Sequence, residues 1–127
     1  MKRVSDRFLQ LGVLFALAGM GLGVWMGKTE NFTLAPVHAH INLLGWVSML
    51  LYGLIYRAVP RAAEGLLPVV HFWLSTLSLL AMIPCLALFL LGDTALAVPL
   101  GLASIGGWFA MLLFAVIVFR ATWRGET

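Results

Sequence analysis

The chain has 127 residues, 62% of them hydrophobic and only 10% charged, with a formal net charge of +3, and its mean hydropathy is +1.02. A soluble domain of this size still exposes much of its surface, so it could not hide so large an apolar share. The cations sit between apolar runs, which excludes a basic nucleic-acid patch and points to a lipid bilayer as the solvent.

Four apolar runs follow one another. The first is Phe8 to Met26, broken only by Gln10; the second is Leu34 to Tyr56. The third, Leu66 to Leu91, carries Pro68, His71 and Pro84, and the fourth is Ala95 to Phe119. Each reaches about 19 residues or more, the length that crosses a ~30 Å hydrocarbon core as a helix. The alternation of a barrel strand is absent. The expected fold is all-α: a polytopic membrane protein whose residues 1–127 form one domain, with helices at 8–27, 35–57, 66–91 and 95–120. Lys2, Arg3 and Arg7 give the chain a basic head. The apolar run behind it is longer than the core of a usual signal peptide, so it reads as a retained helix.

Sidedness follows from the cations. If four helices alternate, Lys2, Arg3, Arg7, Arg57, Arg61, Arg120 and Arg124 share one side and only Lys28 falls on the other. The positive-inside rule then predicts cytoplasmic termini. Trp25, Trp73, Trp108 and Trp123 read as an interfacial belt. The acids Asp6, Glu30, Glu64, Asp93 and Glu126 fall in loops or tails and read as solvated. Gly19, Gly23 and Gly27, and more weakly Ala97/Gly101 and Ala103/Gly107, set small residues four apart, a spacing that lets helix backbones approach closely. Internal packing accounts for them, as does a subunit interface or room for a flat cofactor. Pro84 is expected to kink its helix and free a carbonyl near Cys85. One cysteine excludes an internal disulfide framework.

The chemistry centres on Val37-His38-Ala39-His40-Ile41-Asn42-Leu43-Leu44-Gly45-Trp46, which holds two of the three histidines. An imidazole in hydrocarbon costs free energy unless something binds it, so it marks a functional site. Residues two apart on a helix point about 200° apart. His38 therefore shares a face with Asn42, Gly45, Met49 and Tyr56, and His40 shares the opposite one with Leu44, Val47 and Leu51. The pair cannot grip one metal together but can serve two ligand sites flanking one helix. Interfacial histidines bonded to water and loop carbonyls are the plainer alternative. His71 begins the third run at the other end of the bundle, roughly 20 Å away in depth at 1.5 Å per residue. It is expected to be an interfacial hydrogen-bonding residue rather than a second ligand. That ligand would come from another subunit, or from Met20, Met26 or Met82.

The His38-Ala39-His40 element on a membrane helix resembles the His-x-His of subunit I in haem–copper oxidases. The longer string through Asn42 and Gly45 is similar to that of small oxidase subunit I-like proteins, and to a bacterial haem- and copper-containing nitric-oxide-response family. The resemblance covers about ten residues and the hydropathy of one helix. It implies one four-helix unit of the oxidase architecture in a bacterial inner (cytoplasmic) membrane, with iron of haem b held by His38 and His40 from opposite faces. Asn42, Gly45 and Trp46 would lie beside the cofactor, and Lys28 is the one outer-side cation for its propionates. An adjacent His-His pair and a His-Pro-Glu-x-Tyr motif are missing, so copper and oxygen reduction lose their counterparts. The leading expectation is a low-spin, bis-histidine cytochrome that passes electrons between partners the sequence does not name. A haem or copper handling or gas-sensing protein is the second, with Met20, Met26, Met82 and Cys85 as soft copper(I) ligands; a metal-free assembly subunit is the third. With one imidazole on each side of a helix, His38 of one chain and His40 of the next would close a ring, a homotrimer before a dimer.

Overall fold

The computed structural model describes residues 3–123. Lys2, Arg124 and Glu126, used above for sidedness and for the solvated acids, lie outside them. Four helices long and apolar enough to cross a membrane build the chain: α1 (Val4–Thr29), α2 (Ala35–Ala58), α3 (Leu67–Leu90) and α4 (Ala97–Trp123). Short 3-10 turns at Pro60–Ala63 and Thr94–Leu96 precede α3 and α4. No strand occurs among the described residues. The expected helices are all present, and α1 starts earlier than predicted because Asp6 and Arg7 continue the helix beyond the apolar run. Helix α3 runs through Pro84 without interruption.

The connections are tight for local reasons. Between α1 and α2 the Asn31 side chain accepts from the Thr33 amide (3.1 Å) and hydroxyl (2.7 Å), an Asx turn. Gly65 and Gly92 have φ of 78° and 110°, conformations open to glycine and strained for other residues. Asp93 accepts from the Ala95 amide at 3.2 Å and opens the turn before α4.

Helix α1 packs chiefly against α2, and α3 chiefly against α4, giving two hairpins laid together. Their outward faces are apolar: Val24, Leu66, Val98, Leu102 and Phe119 are all largely exposed. In water each such side chain forgoes about 1.5–3 kcal/mol of burial free energy; against acyl chains that deficit vanishes. Of the tryptophans, Trp25 and Trp123 lie near helix ends as a belt requires, whereas Trp108 sits near the middle of α4.

Helix α2 holds a departure that its sequence did not announce. Residues Ile41–Val47 form a π-helix between the α-helical turns Ala35–His40 and Ser48–Ala58. The amide of Ser48 bonds to the Leu43 carbonyl, and its hydroxyl reaches the same oxygen at 2.6 Å. The buried positions explain why the wider turn fits. Val37, Ile41, Gly45 and Met49 face inward at intervals of four. On an α-helix such a run drifts by about 40° per step, at 100° per residue. The wider π turn takes up the drift and keeps all four against the core.

The end carrying the start of α1 is closed by rings. Phe8, Tyr52, Tyr56 and Phe114 surround His71, whose exposure is 0%, and Phe72 packs edge-on against Phe8. The ring of His71 stacks on Phe114 with centroids 5.0 Å apart, and its Nδ1 shares a hydrogen bond of 2.8 Å with the Tyr56 hydroxyl. The expected interfacial role is therefore corrected: His71 bonds as anticipated, but to a buried tyrosine inside an aromatic cage. Asp6, expected to be solvated, instead pairs with Arg57 across α1 and α2. Because Arg57 remains 57% exposed and water screens the charges, the pair registers the two helices more than it stabilises them.

Nε2 of His71 has no partner, so Tyr56 supplies its one hydrogen bond. Tyr56→Phe would leave both ring nitrogens unsatisfied at a cost of about 1–3 kcal/mol. Combining Tyr56→Phe with His71→Leu should cost less than the sum of the single changes, by about 0.5–3 kcal/mol. Thermal unfolding of the four proteins in one detergent measures this; strict additivity would show that the bond contributes nothing.

Candidate functional site

The predicted histidine pair does point two ways, and the structure adds what holds each ring. His38 crosses from α2 to α1, where its Nδ1 lies 2.7 Å from the backbone carbonyl of Gly19. A carbonyl only accepts, so Nδ1 carries the proton and Nε2 keeps the lone pair. The Asn42 amide nitrogen, one turn on, lies 3.2 Å from that Nε2 and 3.4 Å from Nδ1, and only Nε2 can accept from it. Gly19 stands ten residues before Thr29, so the ring meets α1 about 15 Å inside its end at 1.5 Å per residue. His38 is thus anchored deeper than an interfacial histidine.

Glycines make this docking possible. A Cβ on Gly23 would stand 2.8 Å from Cε1 of His38, and one on Gly19 would stand within 3.1 Å of both Asn42 and Ile41. The Gly19/Gly23 pair is therefore a slot for His38 and Asn42, which settles those two as internal packing. Gly27 and Gly101 have open space where a Cβ would go, so neither packs internally. Gly107 has only Met82 at an ordinary contact of 3.7 Å. Three glycines that the four-residue spacing passed over serve the same hairpin: Gly12 meets α2 at Leu50 and Met49, Gly45 receives Phe15, and Gly53 receives Leu9. Their signal was the facing of small residues on both helices rather than a stripe on one.

His40 is held differently. Its Nδ1 lies 2.6 Å from the carbonyl of Pro36 on its own helix, and the residue is partly exposed. The same reasoning puts the proton on Nδ1 and the lone pair on Nε2. Below it on the outward face lie Leu44, Val47 and Leu51, all exposed, as the spacing predicted.

The other residues singled out from the sequence divide accordingly. Asn42 serves His38, and its own Oδ1 is buried without a partner. Gly45 is a packing position filled by Phe15 from α1. Trp46 is partly buried, with its backbone carbonyl turned to Gly12. Lys28 is exposed in the last turn of α1, at the same end as the histidines. Met26 and Met82 are buried and Met20 is exposed, while Cys85 is free and partly exposed. Among the described residues no three His, Cys, Asp or Glu side chains gather to hold a metal ion.

A cavity of about 340 Å³ opens between α2, α3 and α4, lined by Tyr52, Ser75 and Ser104 and by the methionines Met49, Met82 and Met111. Nothing in the sequence pattern pointed to it, because its walls come from three helices.

If the glycine slot positions His38, Gly23→Ala should push the ring off the Gly19 carbonyl and cost about 1–3 kcal/mol, whereas Gly27→Ala should be neutral. Imidazole nitrogen NMR reads this directly: the Nδ1–H signature of His38 should be lost in the first variant and kept in the second. Comparison of the chain with known protein families, with characterised proteins and with solved structures finds no match in any of the three.

Proposed function

We propose that this chain is a membrane-embedded haem b protein that carries electrons through a low-spin iron with two imidazole ligands, and that it corresponds to one four-helix unit of the haem–copper oxidase subunit I type. The observation that carries the reading is the way both histidines are held. Each imidazole has its Nδ1–H fixed on a backbone carbonyl, at 2.7 Å for His38 and 2.6 Å for His40, which leaves Nε2 as the free donor. Metal-binding histidines are oriented in this manner, with the second ring nitrogen tied to a carbonyl or carboxylate. His40 meets the requirement as it stands. His38 meets it once the Asn42 amide turns aside, and Asn42 Oδ1 makes no bond that would oppose the turn.

When bound, haem supplies a one-electron redox couple, and two imidazoles leave no coordination position open to gas. The protein's part is to fix the two rings, to surround them with apolar side chains, and to present Lys28 for a charge-assisted contact with the propionates. Arg57 and Asp6 join the α1 and α2 ends opposite the histidines, and Arg61 and Arg120 line one groove at that end. This clustering supports an orientation with that end in the cytoplasm of a bacterial inner membrane and the histidines toward the outer side.

A second reading, copper(I) handling, is favoured by the cavity, where Met82 joins Met49 and Met111. Thioethers of this kind suit a soft cation. The copper ligands would then be these three rather than Met20, Met26 or Cys85.

The optical spectrum decides. Purified protein supplied with haem should show a Soret band and sharp reduced α-bands. Joint replacement His38→Ala/His40→Ala should abolish them, and His71→Ala should retain them. A chromophore that survives the joint replacement would refute the assignment. Cysteine labelling from the two sides should place position 61 in the cytoplasm and position 31 outside.

A further inference from the structure

The two histidines are unequal in a way their spacing did not convey. His38 is spent within its own chain, bonded to Gly19 on one ring nitrogen and to Asn42 on the other. His40 is bonded through one ring nitrogen, to Pro36 of its own helix. It projects from a face that is apolar for the next several turns, with Leu43 60% and Leu51 50% exposed. An imidazole with one ring nitrogen tied to its own helix and set on an apolar face can offer the other nitrogen to a group outside the chain.

We infer that its counterpart is His40 of a second copy, and that two chains related by a two-fold axis along the membrane normal share one haem between their His40 side chains. This rests on the haem reading above and puts a second His40, in place of His38, as the other ligand. A two-fold axis of that orientation puts the same residue of each chain at identical depth and facing its mate. Iron–imidazole bonds of about 2 Å, taking zinc as the guide, set the two Nε2 atoms about 4 Å apart. A ring that joins His38 of one chain to His40 of the next needs His38 to leave the Gly19 carbonyl and shed the Asn42 amide. The two-fold pair needs no bond to be broken. In the pair, Leu44, Val47 and Leu51 of both chains supply the apolar walls, and His38 is a positioning residue that fixes α2 on α1.

The test is the haem-to-chain ratio together with native mass, measured on the full chain in mild detergent with added haem b. The expected result is a dimer with one haem per two chains. His40→Ala should lose the haem and the dimer together, and His38→Ala should keep the bis-imidazole spectrum. A second readout does not rest on the spectrum: in the haem-loaded protein, Leu51→Cys in a Cys85→Ser background should cross-link one chain to its mate through a short bifunctional thiol reagent, and failure to do so counts against the pair. One haem per chain, with His38→Ala and His40→Ala each abolishing it, would overturn the two-fold pair while leaving the haem reading intact. A monomer that retains low-spin haem would overturn it as well. Absence of haem binding in the unaltered chain would instead defeat the parent reading, and the shared site with it.

Discussion

The hydrogen bond from His38 to the Gly19 carbonyl is the contact on which the α1–α2 hairpin turns. It is made in a medium where an unpartnered imidazole is costly, and it can form only because Gly19 and Gly23 leave a slot for the ring. Once the ring is seated, Asn42 is drawn to it and lies against Gly19. The register of α1 on α2 is then fixed near one end by a polar contact and near the other by the Asp6–Arg57 pair.

Between those two contacts the hairpin closes by exchange of glycines and large side chains. Phe15 of α1 fills the space at Gly45, and Leu9 fills that at Gly53. Van der Waals packing of this kind has to hold the helices together, because hydrophobicity does not distinguish a neighbouring helix from lipid. The π-helical turn belongs to the same arrangement. Without it Val37, Ile41, Gly45 and Met49 could not all face α1 and the core, and the turn that accommodates them begins immediately after His40. Insertions of this type recur at functional sites, and here the insertion separates the turn that carries the histidines from the regular helix beyond it.

The far end of the molecule is built on the opposite plan. His71 is enclosed by aromatic rings and bonded once, to Tyr56, while its second nitrogen has no partner. It shares nothing with the other histidines in depth or in environment. A fully buried ring clamped by Phe8, Tyr52 and Phe114 has no room to take on a large cofactor.

Composition and run length alone determined the four helices, because a crossing segment is specified by the thickness of hydrocarbon it must span. The angular separation of His38 from His40 was equally legible, since helical periodicity dictates it. The sorting of Arg57, Arg61 and Arg120 to the end that holds the start of α1 followed from counting crossings. Which nitrogen of each ring is occupied could not be read from the sequence, because the Gly19 carbonyl that holds His38 comes from another helix. Nor could the π turn, whose cause is the packing of four residues inward, or the cage of His71, whose walls come from the three other helices. Local pattern fixes where a side chain starts and which way it faces; only the neighbouring helix decides whether it is already satisfied.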